Sequence, residues 1–309
     1  MAEEQNEFDV IVIGAGPAGL TAGLYAARAG LSVAVFERIS PGGQLAQTSE
    51  VENYPGFPNG AEGWQLAFDM QQQALNFGVQ IVSAEVTAVD FSGKMKSVIT
   101  PNGDYAAKSI IIATGAHHRE MGLEGEHELQ GKGISYCATC DGNFFRGKDA
   151  IVVGGGNTAV GDAMYLSRIC NKVYLVHRRD KLRATPIYNE RLAALDNIEF
   201  VWNSAPKQIL SQDGVVTGLR VKSNQTGEER DIAASAVFVA IGNAPSTDFL
   251  EGAVELDEAG YVVADESGKT NVAGVFVAGD VRTKALRQVV TAVADGALAA
   301  ENAAEFVAL

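Results

Sequence analysis

Phe8-Asp9-Val10-Ile11-Val12-Ile13-Gly14-Ala15-Gly16-Pro17-Ala18-Gly19 is the stretch that decides the fold. From Phe8 to Ile13 the chain is apolar and β-rich with one polar interruption, the pattern of a strand buried on both faces of a parallel sheet. It breaks at a G-x-G-x-x-G, and the Ala- and Leu-rich segment to Gly30 reads as a helix. A second apolar run, Ser32 to Phe36, ends at Glu37, 23 positions after Gly14. Strand, glycine turn, helix, strand and acid in this order form a βαβ unit of the dinucleotide-binding kind. Gly14 permits the tight turn, Gly16 lets the backbone approach a pyrophosphate, and Gly19 lets helix and strand pack closely. The helix N-terminus offers unpaired N–H groups to phosphate, and Glu37 accepts from ribose hydroxyls.

The same order recurs further on. Ala150 to Val153 is apolar, Gly154-Gly155-Gly156-Asn157-Thr158-Ala159 is a G-x-G-x-x-A turn, Val160 to Ile169 reads as helix and Val173 to Val176 as strand. That strand ends not on a lone acid but on His177-Arg178-Arg179-Asp180-Lys181-Leu182-Arg183. An acid there would repel a ribose 2′-phosphate, whereas guanidinium groups bind phosphate bidentately. Arg178, Arg179 and Arg183 therefore favour NADP over NAD. The alternative, a solvated basic turn, fits poorly in a chain of net charge −14.

Between the two fingerprints lies Cys137-Ala138-Thr139-Cys140, followed by Asp141 and Gly142. Two cysteines at this spacing close a small disulfide ring and open it by thiol–disulfide exchange. A structural zinc site would need a second close-spaced pair, and only Cys170 and four histidines remain, so no metal is expected. A c-type haem would need histidine where Asp141 stands. Asp141 is the positional candidate for moving protons, its alternative being to cap the turn before Gly142. Cys170, at the end of an apolar helix, reads as a core residue. Trp64 and Trp202 read as packing residues, Tyr188 as either packing or stacking, and His117, His118 and His127 receive no chemistry.

The chain has 309 residues, 47% of them hydrophobic, enough for two cores. Its acidic balance argues against nucleic acid, whose binding rests on Lys and Arg neutralising phosphates, and against an anionic membrane surface. No apolar run approaches the roughly 18 residues a spanning helix requires. The first seven residues lack the positive charge of a signal peptide. A cytoplasmic location is expected, and in a reducing compartment a C-x-x-C is catalytic or metal-binding. A Gly/Pro-punctuated loop, Pro41 to Gly56, carries Gln44, Thr48 and Asn53, suited to a polar ring system. Lys108 to Ala113 and Gly274 to Ala278 read as buried strands, ending in Thr114-Gly115 and Gly279-Asp280.

With both fingerprints, the central Cys-Ala-Thr-Cys and the terminal Gly-Asp in this order, the chain resembles the low-molecular-weight, bacterial-type thioredoxin reductases over essentially its whole length. The resemblance implies an α/β fold of two Rossmann-like dinucleotide-binding domains with parallel, three-layer sheets. An NADPH domain, residues 117–244, carries the dithiol and is inserted between two segments of an FAD domain, residues 1–116 and 245–309. It implies that Gly14, Gly16, Pro17, Ala18 and Gly19 hold the FAD pyrophosphate and Glu37 its adenosine ribose. Gln44, Asn53, Asp280, Arg287 and Gln288 would line the flavin and ribityl region, with Gly43, Leu45, Val86, Thr114, Gly115 and Gly279 completing the FAD site. Gly154, Gly156, Asn157, Thr158, Ala159, His177, Arg178, Arg179, Arg183, Ile241 and Gly242 would hold NADPH.

The activity implied is thioredoxin-disulfide reduction by a homodimer, with Cys140 facing the flavin, Cys137 attacking thioredoxin and Asp141 as acid–base group. There is one departure. Many members carry an acid after the Ala-Val of the second fingerprint, and this chain has Gly161. That leaves a ferredoxin-driven reductase as an alternative, beside a dithiol oxidase of the same fold, which needs no arginine cluster. A non-catalytic redox sensor is the reading from another class, but it has no use for two dinucleotide sites.

Overall fold

The computed structural model describes residues 6–48, 50–184, 192 and 195–309, so Tyr188 and the first five residues lie outside the described residues. The chain divides into two compact units, one made by the chain up to His117 and from Ala244 to Leu309, the other by His118–Asn243.

In the first unit β1 (Glu7–Ile13) leads through the glycine turn into α1 (Pro17–Arg28) and back to β2 (Val33–Glu37). Next come α2 (Gly43–Ala46), the short pair β3 (Glu50–Val51) and β4 (Ala61–Glu62), α3 (Gly63–Asn76) and β5 (Gln80–Ser83). A meander of β6 (Ala88–Asp90), β7 (Lys96–Thr100) and β8 (Gly103–Ile112) follows, antiparallel until β8 turns alongside β1 and pairs with it in parallel. The sheet order is β5-β2-β1-β8-β7-β6. Successive residues of β1 serve opposite faces, because side chains alternate along a strand. Val10 and Val12 join Leu20, Ala22 and Ala26 of α1, while Ile11 and Ile13 join Phe36, Ile110 and Ile112 on the other side. Burying each such side chain is worth about 1.5–3 kcal/mol, and a strand loaded on both faces has only this place to go. Trp64 departs from the packing role expected of it. It is 54% exposed, and Phe68 one turn later is 50% exposed, because Leu66 and Ala67 take the inward face of α3.

β9 (Ala116–His118) pairs with β18 (Asn243–Pro245) in a two-stranded ribbon. The second unit then runs through β10 (Ile134–Ser135), α4 (Ala138–Asp141), β11 (Asp149–Gly154), α5 (Asn157–Leu166), β12 (Lys172–Val176) and β13 (Ile198–Val201). A three-stranded antiparallel sheet, β14 (Ser204–Gln212), β15 (Val215–Ser223) and β16 (Glu229–Ala233), precedes β17 (Ala236–Ala240). The main sheet has the order β10-β17-β11-β12-β13 and every pairing in it is parallel. Its two faces again divide by parity. Ile151, Val153, Val237 and Val239 meet Leu219, Val221 and Ile232 of the antiparallel sheet, whereas Ala150, Val152 and Phe238 meet Ala159, Val160, Ala163 and Leu166 of α5. Cys170 is buried in the second of these clusters, as a core residue should be.

Back in the first unit, β19 (Val275–Val277) pairs in parallel with the end of β8, and α6 (Val289–Val307) closes the chain. α6 packs on α1 through small residues. A Cβ at Gly296 would stand 2.2 Å from the Ala18 carbonyl oxygen, so the two backbones approach as only glycine allows.

Candidate active site

Because β1, β2, β8 and β19 are parallel, their carboxyl ends emerge along one edge, where open α/β sheets take their ligands. The glycine turn leaves β1 there. Gly14 has φ +104, and a Cβ on it would lie 2.5 Å from the Ala113 carbonyl oxygen; one on Gly19 would lie 1.8 Å from that of Gly14. A Cβ on Gly16 would meet nothing within 4 Å. Gly14 and Gly19 are therefore demanded by the protein itself, and Gly16 opens onto free space, as a phosphate cradle requires. Gly16 caps α1, with Pro17 as its first residue and Ala18 buried.

Glu37, at the end of β2, accepts from the Ala15 N–H at 3.1 Å through Oε2 and from the Ile39 N–H at 3.0 Å through Oε1. It thus braces the turn. Gly43, φ +55, brings the start of α2 against Gly16, to whose Cα a Cβ there would come within 3.3 Å. Leu45 is buried, and the Gln44 amide donates to the Ala116 carbonyl. Thr114 donates to the Ser246 carbonyl at 2.7 Å, and Gly115, φ +70, faces open space. Val86 packs half-buried on the cluster containing Phe36.

At the end of β19, Gly279 has φ +81. Asn53 donates to the Gln288 side-chain oxygen at 2.8 Å, joining residues 235 positions apart. Arg287 donates to the carbonyls of Asp280 and Arg282 and lies 4.1 Å over the Tyr261 ring. Gln288 caps α6 in a reciprocal box with Thr291. Asp280 Oδ1 is buried without a partner. Burial pushes its carboxyl up, against the pull of Lys284 and Arg287, with Asp295 adding to the rise. An orphaned acceptor beside a glycine held at positive φ suits the hydroxyls of a bound ribityl chain, so these residues fit FAD.

The second unit repeats the arrangement. Gly154 and Gly156 bracket the turn at the end of β11; a Cβ on Gly154 would lie 2.3 Å from the Ala240 carbonyl oxygen, and one on Gly156 would meet nothing within 4 Å. Asn157 and Thr158 are exposed in the first turn of α5, over a buried Ala159. His177 is 5% exposed and lies under Gly155, whose Cβ would strike its ring, while its Nε2 has no partner. Burial lowers its pKa, a hydrogen bond to the Lys181 backbone works against this, and the flanking arginines lower it further. Arg178, Arg179 and Arg183 are exposed, and among the described residues no carboxylate pairs with them. Ile241, 36% exposed, and Gly242, φ +115, leave the end of β17 between this turn and β10.

β10 delivers the dithiol to the same edge. Cys137 and Cys140 form a disulfide, Cys137 preceding the single turn of α4 that packs on α5. Asp141 ends that turn. Burial pushes its carboxyl up, and a hydrogen bond from Ser135 Oγ to its Oδ2 at 2.7 Å holds it down. Acid and disulfide are therefore adjacent, at the end of one strand.

Residues 8–296 match the family described as pyridine nucleotide-disulphide oxidoreductase. The thioredoxin reductase of Listeria monocytogenes is 46% identical over 307 residues, covering 99% of this chain and 96% of that one. Two solved thioredoxin reductases also resemble it. That of Streptococcus pyogenes has a TM-score of 0.91 at 41% identity, covering 99% of both chains. That of Giardia duodenalis has 0.92 at 38%, covering 99% of this chain and 100% of its own. The chain belongs to the low-molecular-weight thioredoxin reductases.

Within this thioredoxin reductase fold, three residues around the dithiol had been given no role from the sequence. Ser135, 3% exposed, donates to Asp141 and accepts from the Cys137 N–H at 3.1 Å, so one hydroxyl ties acid to cysteine. Tyr136 donates to Glu126 at 2.9 Å and stacks on His118 with centroids 5.1 Å apart; burial and then Glu126 raise its pKa. Glu126, 2% exposed, also accepts from the N–H groups of Met121, Gly122 and Leu123. A carboxylate satisfied by backbone donors has no linear signature, whereas Ser135, two residues before the C-x-x-C, is close enough in sequence to be read as a partner of the Cys137 N–H. Asp162, next to Gly161 on α5, was likewise assigned nothing from the sequence: burial pushes its carboxyl up to about 7.

Proposed function

We propose that this thioredoxin reductase takes electrons from NADPH through FAD to the Cys137–Cys140 disulfide and from there to thioredoxin. The single observation that carries the reading is the Cys137–Cys140 disulfide on the same sheet edge as an open glycine turn and three exposed arginines that no carboxylate pairs with among the described residues. In the first unit, Gly14, Gly16, Pro17, Ala18, Gly19, Glu37, Gly43, Gln44, Leu45, Asn53, Val86, Thr114, Gly115, Gly279, Asp280, Arg287 and Gln288 would hold FAD. In the second, Gly154, Gly156 to Ala159, His177, Ile241 and Gly242 would hold the dinucleotide, and Arg178, Arg179 and Arg183 its 2′-phosphate.

Bound FAD and NADPH supply the two-electron transfer. The protein's part is the disulfide and the proton. Two electrons and two protons open the ring to two thiols. The Cys137 thiolate then attacks the thioredoxin disulfide, and the Cys140 thiolate breaks the mixed disulfide, releasing reduced thioredoxin and closing the ring. Asp141, raised by burial and restrained by Ser135, holds and returns the proton at the cysteine sulfur. The reading includes a homodimer, consistent with the exposed Trp64 and Phe68 of α3, and a reducing cytoplasm in which the dithiol can cycle.

Anaerobic titration of the purified protein with NADPH, with NADH in parallel, tests the reading. Bleaching of the visible flavin band by NADPH and not NADH is expected. A bound flavin that dithionite reduces and NADPH does not would refute the donor assignment and turn the reading to ferredoxin.

A further inference from the structure

The segment between β19 and α6 carries charge that the reaction above leaves unused. Asp295, in the second turn of α6, receives two cations: Oδ1 accepts from Arg282 Nη1 at 3.1 Å and Oδ2 from Lys284 Nζ at 2.7 Å. Oδ2 also accepts from the Gly279 N–H at 3.0 Å. The side chains are 6%, 9% and 14% exposed for Arg282, Lys284 and Asp295. Arg282 Nη2 donates to the Asp265 carbonyl at 2.9 Å, and its Nε is buried with no partner. Two cations thus share one carboxylate where solvent screening is weak. Adding Arg287 and Asp280, the other charged groups of the segment, gives three cations to two carboxylates even with Asp280 ionised. An uncompensated buried charge is expensive to keep, so a surplus on this scale calls for a counter-charge from outside the chain.

Its position says which. Gly279 cannot be steadied by a side chain of its own, since a Cβ there would lie 2.8 Å from that of Ala18. Asp295 instead holds the turn through its N–H, directly before the orphaned Asp280 carboxyl.

We propose that the Arg282–Asp295–Lys284 cluster is a positioning and tuning device for the flavin: Asp295 fixes the Gly279–Asp280 turn, and the surplus cation favours the electron-rich form of the cofactor, raising its reduction potential. This rests on the reading of Gly279 and Asp280 as part of the FAD cradle. A positive charge near the cofactor stabilises added electrons whatever the donor, and a buried one acts through an effective dielectric near 20 in place of 80.

The test is the flavin midpoint potential, measured anaerobically against a reference dye, in Lys284→Met and Lys284→Arg. Lys284→Met leaves the Arg282–Asp295 pair balanced, so folding and FAD content should hold. The ratio of reduced to oxidised flavin at a fixed ambient potential should fall about tenfold, roughly 30 mV for two electrons. Lys284→Arg keeps the charge and should match the wild type. Lys284→Gln carries the same test if Met is not accommodated. A Lys284→Met protein with full FAD and the wild-type potential overturns the proposal, as does an equal shift in Lys284→Arg. Wild-type protein that neither carries nor takes up flavin overturns the cradle reading itself, a distinct result.

Discussion

Removing one hydroxyl should move the pH at which this enzyme works. Ser135 Oγ donates to Asp141 Oδ2 at 2.7 Å, and this bond opposes the burial that raises the carboxyl. A hydrogen bond to an ionised group is worth about 1.5–3 kcal/mol, and one pKa unit is about 1.4 kcal/mol. Since the bond favours the charged form, Ser135→Ala should raise the Asp141 pKa by about one to two units. The readout is the pH dependence of the single-turnover step in which pre-reduced enzyme meets excess oxidised thioredoxin. Whichever form of Asp141 the step requires, its inflexion should move up by that amount. Ser135→Thr should leave it in place, and Asp141→Asn should abolish it in either background. Ser135→Ala also strips the Cys137 N–H of its acceptor, at a stability cost of about 1–3 kcal/mol. An inflexion at the wild-type pH in Ser135→Ala, with the protein folded, would refute the coupling.

Further outcomes follow from the same geometry. Gly19→Ala, whose Cβ would stand 1.8 Å from a backbone oxygen, should destabilise the first unit. Gly16→Ala, which meets no protein atom, should fold normally and lose FAD, seen in the ratio of visible to ultraviolet absorbance. Arg178→Gln and Arg179→Gln should each raise the KM for NADPH about tenfold or more, through a lost charged hydrogen bond, with NADH kinetics unmoved; equal effects on both dinucleotides would sink the 2′-phosphate assignment. Cys137→Ser and Cys140→Ser should each retain FAD and lose thioredoxin reduction, and full turnover by either would end the dithiol mechanism. Asp162 sits with a pKa of about 7 against an ordinary 3.8. The fold therefore favours its protonated form, a stabilisation complete below about pH 4 and lost as pH rises through about 7. Asp162→Asn should flatten the fall in melting temperature over that range, and parallel curves would refute it.

Much of this protein is written locally. The two βαβ units, their glycine turns and the dithiol were legible because the signals are short-range: two-residue periodicity loads both faces of β1 and β11, and Gly14 at φ +104 admits no side chain. The arginines that follow β12 were legible for a similar reason, since a strand end in a parallel sheet is a known place in space once the strand is known. What the sequence determined by itself was the architecture, the family and the place of the redox pair.

Tertiary structure alone decided which polar groups become partners within each unit. Asn53 finds Gln288 across 235 positions, Asp295 reaches back to Gly279, and Glu126 is filled by Tyr136 and three backbone N–H groups. None of these partnerships has a spacing rule, because each depends on where a buried polar atom is left without water. A carboxylate that would be solvated in the open chain must find donors in the core, and only the folded packing says which donors are within reach. The same packing turned Trp64 outward, a choice made by the neighbouring elements and not by the side chain itself.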